Sequence, residues 1–269
     1  MTNAVPILSV RGLSIDYRIE GRRDAYHAVV DLSFDLYPGR ALALVGESGC
    51  GKTTTMLSLL RLLPAAGQII AGQVLFHGQD LLQLSEAGIR AVRWKQMAIV
   101  FQGAMNALNP VRRVEDQIVE VLLLHGTVGN RRQAKARVAD LMQMVGIPPQ
   151  RAQQYPHQFS GGMRQRAMIA MALACEPEVL IADEPTTALD VMIQAQIITL
   201  LESLQQMLGL SVILVTHDLG VVAEMCTDVL IMQDGRAIEQ GTVDTIFNAP
   251  RHAYTQRLLA TIPKIGLDT

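Results

Sequence analysis

The sequence is poor in the residues that mark several classes of protein. Its 269 residues include three cysteines, Cys50, Cys175 and Cys226, which lie far apart and form no C-x-x-C pair. A disulfide scaffold or zinc ribbon is therefore not expected, and a reducing cytosol is the simplest compartment. No stretch reaches the roughly 18 apolar residues of a membrane-spanning helix. The formal net charge is −2, which argues against broad nucleic-acid binding, because that function favours a basic face.

The residues that are plentiful point to a globular chain. Hydrophobic residues make up 49% of the sequence, enough for a substantial core, and the length fits one large domain with a subdomain. The N-terminal segment 1–9 lacks a basic patch followed by an apolar run, so no signal peptide is expected.

Hydrophobic periodicity predicts an α/β chain with a helical insertion. Alternation indicates half-buried strands at the start, and short apolar runs indicate buried strands later. The predicted strands are Leu8–Tyr17, Ala28–Leu36, Ala41–Val45, Val74–Phe76, Ala98–Phe101, Val179–Ala182, Ser211–Val215, Val229–Met232 and Ala237–Glu239. The predicted helices are Lys52–Leu63, Val114–Leu124, Arg131–Val145, Met163–Ala174, Gln194–Leu208, Leu219–Met225 and a tail, Thr242–Thr261, broken at Ala249-Pro250.

These elements suggest a division of the single domain. We expect residues 1–112 and 176–245 to form an α/β core with a β subdomain, residues 113–175 to form an inserted helical subdomain, and residues 246–269 to form a helical tail.

A phosphate-binding loop is the strongest local signal. The stretch Gly46–Thr53 fits G-x-x-x-x-G-K-[ST] between a predicted strand and a predicted helix, which is the context that this motif requires. Backbone N–H groups at a helix N-terminus bind phosphate through their dipoles, and glycines permit the close approach. Lys52 can reach the β and γ phosphates, and the Thr53 hydroxyl can bind Mg²⁺. The residues predicted to contact the nucleotide here are Gly46, Glu47, Ser48, Gly49, Cys50, Gly51, Lys52, Thr53 and Thr54.

Polar residues close three apolar strands. Asp183 and Glu184 follow Val179–Ala182; adjacent carboxylates at a buried strand end are costly, and phosphoryl transfer needs one for Mg²⁺ and another group to orient water. Asp183 suits the first role and Glu184 the second, although a helix-capping acid is the alternative. His217 ends the next strand and could contact the γ phosphate. Gln102 could contact Mg²⁺ or water, or be an exposed strand cap.

A second glycine-rich turn suggests that the protein works as a pair. Ser160, Gly161 and Gly162 precede a predicted helix, which makes a second potential anion site at a helix N-terminus. One chain has no obvious reason to hold one ATP with two such sites. In a two-fold pair, each turn can cover the nucleotide of the other subunit. Tyr17 ends an early strand and could stack on adenine, with Tyr26 as the competing candidate.

The motifs occur in the order of a known family. The chain resembles the ATP-binding subunit of ABC transporters over nearly its whole length, and so is expected to have a P-loop NTPase core with a mixed sheet, an antiparallel β subdomain and a helical signature subdomain. The corresponding motifs are Tyr17, Gly46–Thr53 as Walker A, Gln102 as the Q-loop, Ser160–Met163 as the signature, Asp183-Glu184 as Walker B, Ala188-Leu189-Asp190 as the D-loop and His217 as the switch histidine.

Details of the resemblance favour the peptide/nickel importer branch. Phe159–Met163 reads F-S-G-G-M where the family usually has L-S-G-G-Q. Two further segments resemble the importer branch: Ala107–Val111, after the Q-loop, and Pro250–Pro263, near the end of the sequence. The resemblance implies an ATPase using ATP and Mg²⁺, paired with a second, related ABC ATPase (a heterodimer, or a homodimer) and with two membrane permease subunits. It also implies an extracytoplasmic substrate-binding protein, a place on the cytoplasmic face of the inner membrane and no nucleic acid partner.

The transported substrate stays open in the sequence. Many peptide-importing members continue into a tail with clustered cysteines, which this sequence lacks; di- and oligopeptides are the main expectation, and nickel or a metal–chelator complex is the alternative. A soluble ABC ATPase is less expected, because neither a long coiled-coil insertion nor a second ATPase unit occurs. An unrelated P-loop kinase or GTPase would leave Ser160–Gly162 unexplained, and no N-K-x-D string is present.

Overall fold

The computed structural model describes residues 5–19, 21, 24–103, 107–187 and 189–260. Three of the predicted segments extend outside the described residues. They are the D-loop at Ala188, the N-terminal segment at residues 1–4 and the tail after Ala260. The chain divides into two compact units, Met1–Leu84 with Ile213–Thr269, and Ser85–Val212. Among the described residues, no helix combines the length and the apolar character needed to cross a membrane.

Strands predominate at the start of the chain, and strands and helices are mixed along the rest of it. In chain order they are β1 (Leu8–Tyr17), β2 (Tyr26–Leu36), β3 (Ala41–Val45), α1 (Lys52–Leu59), β4 (Gly67–Phe76), β5 (Gln79–Asp80), α2 (Glu86–Val92), β6 (Met97–Val100), α3 (Val114–Leu124), α4 (Arg131–Met144), α5 (Gly161–Ala172), β7 (Val179–Asp183), α6 (Val191–Leu208), β8 (Ser211–Thr216), α7 (Leu219–Met225), β9 (Asp228–Gln233), β10 (Arg236–Thr242), α8 (Val243–Asn248) and α9 (Ala253–Ala260).

The first unit contains the predicted antiparallel β subdomain. Its sheet has the strand order β2-β1-β4-β5, and every pairing in it is antiparallel. The alternation that predicted β1 is visible in its burial, since Leu13 and Ile15 are buried whereas the residues between and beside them are more exposed. Gly72 allows the close approach of β4 to β1, because an added Cβ would lie 2.5 Å from the Cα of Leu13.

The same unit contains a mixed arrangement of strands in the order β10-β9-β3-β8. β9 runs antiparallel to β10 and parallel to β3. β3 is buried along its whole length, which explains why its sequence is a continuous apolar run rather than an alternating one.

The second unit combines a pair of parallel strands with most of the helices. β6 and β7 are parallel neighbours, with Val100 opposite Ala182 at their carboxyl ends. α3, in this unit, and α7, in the first unit, have the predicted bounds. α2 was not predicted; its start is marked by Ser85, whose hydroxyl accepts a hydrogen bond from the N–H of Gly88.

Side-chain caps explain where two helices begin earlier than predicted. Ser160 caps α5 by accepting from the N–H of Met163, so the helix starts at Gly161 rather than Met163. Asp190 caps α6 by accepting from the N–H of Ile193, so that helix starts at Val191 rather than Gln194. Such oxygens satisfy backbone donors that a first helical turn leaves unpaired. The predicted end of α1 at Leu63 is wrong, because Arg61 adopts a left-handed φ of 53° and the helix ends at Leu59.

Candidate nucleotide-binding and hydrolysis site

The phosphate loop joins the buried strand β3 to helix α1. Two of its glycines allow backbone to pack against backbone. A Cβ at Gly46 would lie 2.2 Å from the carbonyl oxygen of Met232. Gly51 caps α1 with a left-handed φ of 103°, and a Cβ there would lie 2.5 Å from the carbonyl oxygen of Ala28. Larger residues at either position would push the loop off its supporting strands.

The ammonium group of Lys52 lies over the loop's own carbonyls. Lys52 is only 6% exposed, and its Nζ donates to the carbonyl oxygens of Gly46 at 2.7 Å and Glu47 at 2.9 Å. These bonds offset the cost of burying the charge. They also keep a positive charge beside the loop, where an incoming phosphate could replace the carbonyls as its partner.

The thiol of Cys50 is a neutral part of the loop. It is buried and lies 3.7 Å from Lys52 Nζ. Burial raises its pKa, because it disfavours the thiolate, while the charge of Lys52 acts in the opposite direction. The net rise keeps the thiol protonated at neutral pH, which fits a packing role. The carbonyl of Cys50 also accepts a hydrogen bond from the N–H of Gly235 at 3.1 Å.

A tyrosine from the C-terminal segment also reaches the phosphate loop. The N–H of Glu47 donates to the hydroxyl oxygen of Tyr254 at 3.1 Å, and Tyr254 lies in α9. Sequence reasoning missed this residue, since the surrounding P-R-H-A-Y-T segment served only as a marker of the importer branch. The two residues in contact are 207 positions apart in the sequence, so no local sequence pattern predicts the contact.

The other predicted residues of the first unit lie at strand ends. Tyr17 is the last residue of β1; its ring lies close to Gly67, where an added Cβ would be 3.0 Å from Tyr17 Cε1. Tyr26 is paired with Tyr17 across β1 and β2 and is 51% exposed. The two candidates for stacking on adenine are therefore neighbours in the sheet. His217 follows β8 and is exposed, next to Asp218, which caps α7.

In the second unit, the structure joins Gln102 to Glu184. Gln102 Nε2 donates to Glu184 Oε2 at 2.7 Å. The two residues are 82 positions apart, but each lies two residues beyond the paired Val100 and Ala182. Because the strands are parallel, the two residues lie at the same end of the pair. Asp183, just before Glu184, is only 2% exposed.

Glu184 has a second hydrogen-bond partner that sequence reasoning missed. Thr187 Oγ1 donates to the same Glu184 oxygen at 2.8 Å. Glu184 adopts a left-handed φ of 42°, which is uncommon for a residue with a side chain and is often found at functional sites. The available signal was a threonine three residues after a candidate base, which is too common to single out. The two donors fix the direction of the carboxylate.

The serine–glycine turn forms the first turn of α5. Ser160 is exposed, and Gly161 and Gly162 are the first two helical residues. Gly162 packs against α6, because a Cβ there would lie 2.7 Å from Ile193 Cγ2. The turn therefore presents a hydroxyl and a helix N-terminus together, the combination that suits an anion.

Solved structures with the same fold are ATP-binding cassettes. One is cbiO1 from Clostridium perfringens, part of the ABC transporter complex cbiONQ, with a TM-score of 0.77, 28% identity and coverage of 97% of both chains. A second is the dimeric post-hydrolysis structure of the cassette MJ0796 bound to ADP and Pi, with a TM-score of 0.77 at 24% identity over 88% of this chain and 98% of that one. The predicted P-loop NTPase fold with its mixed sheet is confirmed.

Sequence comparison gives the family. The ABC transporter family matches residues 29–187, and the chain belongs to it. Members of this family bind ATP and couple its hydrolysis to transport, so the predicted class of enzyme is confirmed.

Three curated relatives match almost the whole chain. The dipeptide transport ATP-binding protein DppD of Bacillus subtilis is 47% identical over 97% of this chain and 78% of its own length. The oligopeptide transport protein OppD of the same organism is 46% identical over 98% of this chain and 74% of its own length. The glutathione import protein GsiA of Escherichia coli K12 is 47% identical over 97% of this chain, which spans only 42% of GsiA.

Proposed function

We propose that the chain is the ATP-binding and hydrolysing subunit that powers an importer of di- and oligopeptides. The phosphate loop supports the ATPase part of this proposal. Its Lys52 and its close-packed glycines Gly46 and Gly51 are suited to binding a triphosphate. The peptide part is supported by DppD and OppD, whose names specify dipeptides and oligopeptides and which are 47% and 46% identical to the chain.

The nucleotide would lie on the phosphate loop, with adenine on Tyr17. The backbone of residues 46–54 would bind the phosphates, and Lys52 would exchange its two carbonyl partners for phosphate oxygens. Thr53, Gln102 and Asp183 are the proposed Mg²⁺ ligands. A hydroxyl, an amide oxygen and a carboxylate are the hard oxygen donors that Mg²⁺ prefers; when bound, the ion would neutralise charge on the transferred phosphate.

Glu184 is the proposed general base. Its carboxylate oxygen accepts from Gln102 and Thr187, so the group is oriented before any water arrives. A carboxylate aimed in this way can accept a proton from the water that attacks the γ phosphate. Gln102 would link this water to the helical region that follows it, and His217 would contact the γ phosphate.

Ser160–Gly162 would complete the site of a partner subunit. The exposed Ser160 and the N-terminus of α5 are suited to a terminal phosphate. Two ATP molecules would thereby join two related ATPase subunits, and hydrolysis would let them separate. The pair would drive two membrane permease subunits fed by a substrate-binding protein, from the cytoplasmic face of the inner membrane.

The ATPase activity of the assembled complex tests the transported substrate. The chain would be reconstituted with its permeases, its partner ATPase and the binding protein, and its ATP turnover measured with dipeptides, longer peptides or nickel chelates. We expect peptides to stimulate turnover and nickel chelates to leave it at the basal level. Stimulation by nickel chelates alone would overturn the peptide assignment and leave the ATPase assignment intact.

A further inference from the structure

Helix α9 contributes one side chain to the phosphate loop. The hydroxyl oxygen of Tyr254 accepts the N–H of Glu47 at 3.1 Å, and only 5% of Tyr254 is exposed. The hydrogen bond is partly buried, because Glu47 is exposed whereas the tyrosine is buried. The contact lies within the first unit.

The start of α9 is anchored to strand β10. The two carboxylate oxygens of Glu239 accept the backbone N–H groups of Arg251 at 2.7 Å and His252 at 3.1 Å. His252 Nδ1 then accepts the N–H of Tyr254 at 3.2 Å. The tyrosine is therefore held through the backbone of the residues that follow Pro250, and its hydroxyl is presented to the loop from a fixed position.

The backbone of Glu47 is bound at both of its polar groups. Its N–H donates to Tyr254, and its carbonyl accepts from Lys52 Nζ at 2.9 Å and from the N–H of Cys50 at 3.3 Å. When Lys52 turns towards a phosphate, the carbonyl loses its charged partner. The bond to Tyr254 does not involve Lys52, so it can persist through that change.

We propose that Tyr254 is a positioning residue that holds the phosphate loop in its phosphate-binding shape before and after Lys52 changes partners. The inference rests on the proposed nucleotide site at Gly46–Thr53. It makes the C-terminal segment part of the ATP site, so that displacement of α9 weakens the binding of a nucleoside triphosphate.

The phenol hydroxyl of Tyr254 keeps one protonation state across the neutral pH range. Burial raises the pKa of Tyr254, and nearby Glu47, Cys50 and Asp234 act in the same direction, while the hydrogen bond from Glu47 opposes them. The hydroxyl therefore stays protonated across the neutral range, and it accepts from Glu47 as a neutral group.

The test removes the hydroxyl and keeps the ring. The full-length Tyr254→Phe chain should bind ATP about three- to tenfold more weakly than the unmodified chain, the size expected for the loss of one hydrogen bond. In the assembled transporter, KM for ATP should rise by the same factor with kcat nearly unchanged, because Tyr254 does not face the reacting atoms. Tyr37→Phe, which removes a hydroxyl elsewhere in the same unit, should change neither constant.

Each outcome decides between the inference and the proposed site. Equal ATP affinity for Tyr254→Phe and the unmodified chain would overturn the inference alone. A fall in kcat with unchanged KM would also overturn it. Failure of the unmodified chain to bind ATP would instead overturn the nucleotide site. If Tyr254→Phe does not fold, Glu239→Gln replaces it: weakening the anchor of α9 should lower ATP affinity, and unchanged affinity would contradict the proposal.

Discussion

At the scale of single residues, one carboxylate oxygen of Glu184 is the hydrogen-bond acceptor for two other side chains. It accepts hydrogen bonds from Gln102 at 2.7 Å and Thr187 at 2.8 Å. Because these bonds orient the carboxylate, the orientation of the proposed base and its chemistry can be tested by different substitutions.

Glu184→Gln should bind ATP and hydrolyse it about a hundredfold or more slowly, because an amide cannot accept the proton of the attacking water. The ATP-bound pair should then accumulate and be visible by size-exclusion chromatography. Glu178→Gln, which changes a carboxylate of the same unit outside the proposed site, is the matched control. Unchanged turnover in Glu184→Gln would show that another group is the base.

Thr187→Val should lower kcat by about three- to tenfold while leaving KM for ATP in place, since it removes one hydrogen bond to the base but no contact to the nucleotide. Steady-state kinetics of the assembled transporter measure the effect. Thr187→Ser restores a hydroxyl and should recover most of the activity. If valine and serine behave alike, the hydroxyl does not orient Glu184.

At the scale of elements, the N-terminus of α5 is the proposed contact with a partner subunit. Ser160 both caps the helix, by accepting from Met163, and lies exposed in front of it. Gly162 must stay small because α6 packs against it through Ile193. Gly162 therefore packs the helix against α6, while Ser160 is exposed at its N-terminus.

Ser160→Arg should leave ATP binding to the chain's own phosphate loop intact and abolish turnover at the opposite site, because a bulky cation replaces the hydroxyl at the proposed interface. Loss of the cap alone costs about 1 kcal/mol of stability. Ser85→Arg provides the control, since Ser85 caps α2 in the same way and lies outside the signature. Normal turnover in a complex carrying Ser160→Arg would contradict the shared site.

At the scale of the whole molecule, the buried thiols make the free energy of unfolding depend on pH in the alkaline range. The three thiols are buried. Burial raises the pKa of Cys226 to about 12, with Asp228 adding to the rise, and it also raises the pKa of Cys50 and Cys175. The unfolded chain therefore loses these protons at lower pH than the folded chain.

The contribution of Cys226 to the free energy of unfolding should not change with pH below about pH 9. It should fall by about 1.4 kcal/mol per pH unit as the pH rises towards 12. The folded pKa is raised, so the contribution is complete below the unfolded pKa and is lost above it. Urea denaturation at several alkaline pH values measures the slope. Cys226→Ala should show a shallower decline, and an identical decline would rule out this thiol as its source.

Comparison of particular elements shows what could be predicted. The phosphate loop, β3, α3 and α7 were predicted because their signals are contained in a few consecutive residues. Helix starts at α5 and α6 were misplaced by two or three residues, because periodicity does not detect the capping of Ser160 and Asp190. Roles of the site residues stay predictions, as does the proposed division at residues 113–175.

What the sequence determined by itself is a local prediction: the eight neighbouring residues Gly46–Thr53 contain the whole signal for a phosphate-binding loop. Only the tertiary structure decided which side chains that are distant in the sequence meet. Thr187 and Gln102 meet at Glu184, and Tyr254 meets Glu47 across 207 positions. These contacts depend on where strands and helices pack, and packing is set by many distant residues at once rather than by any short motif.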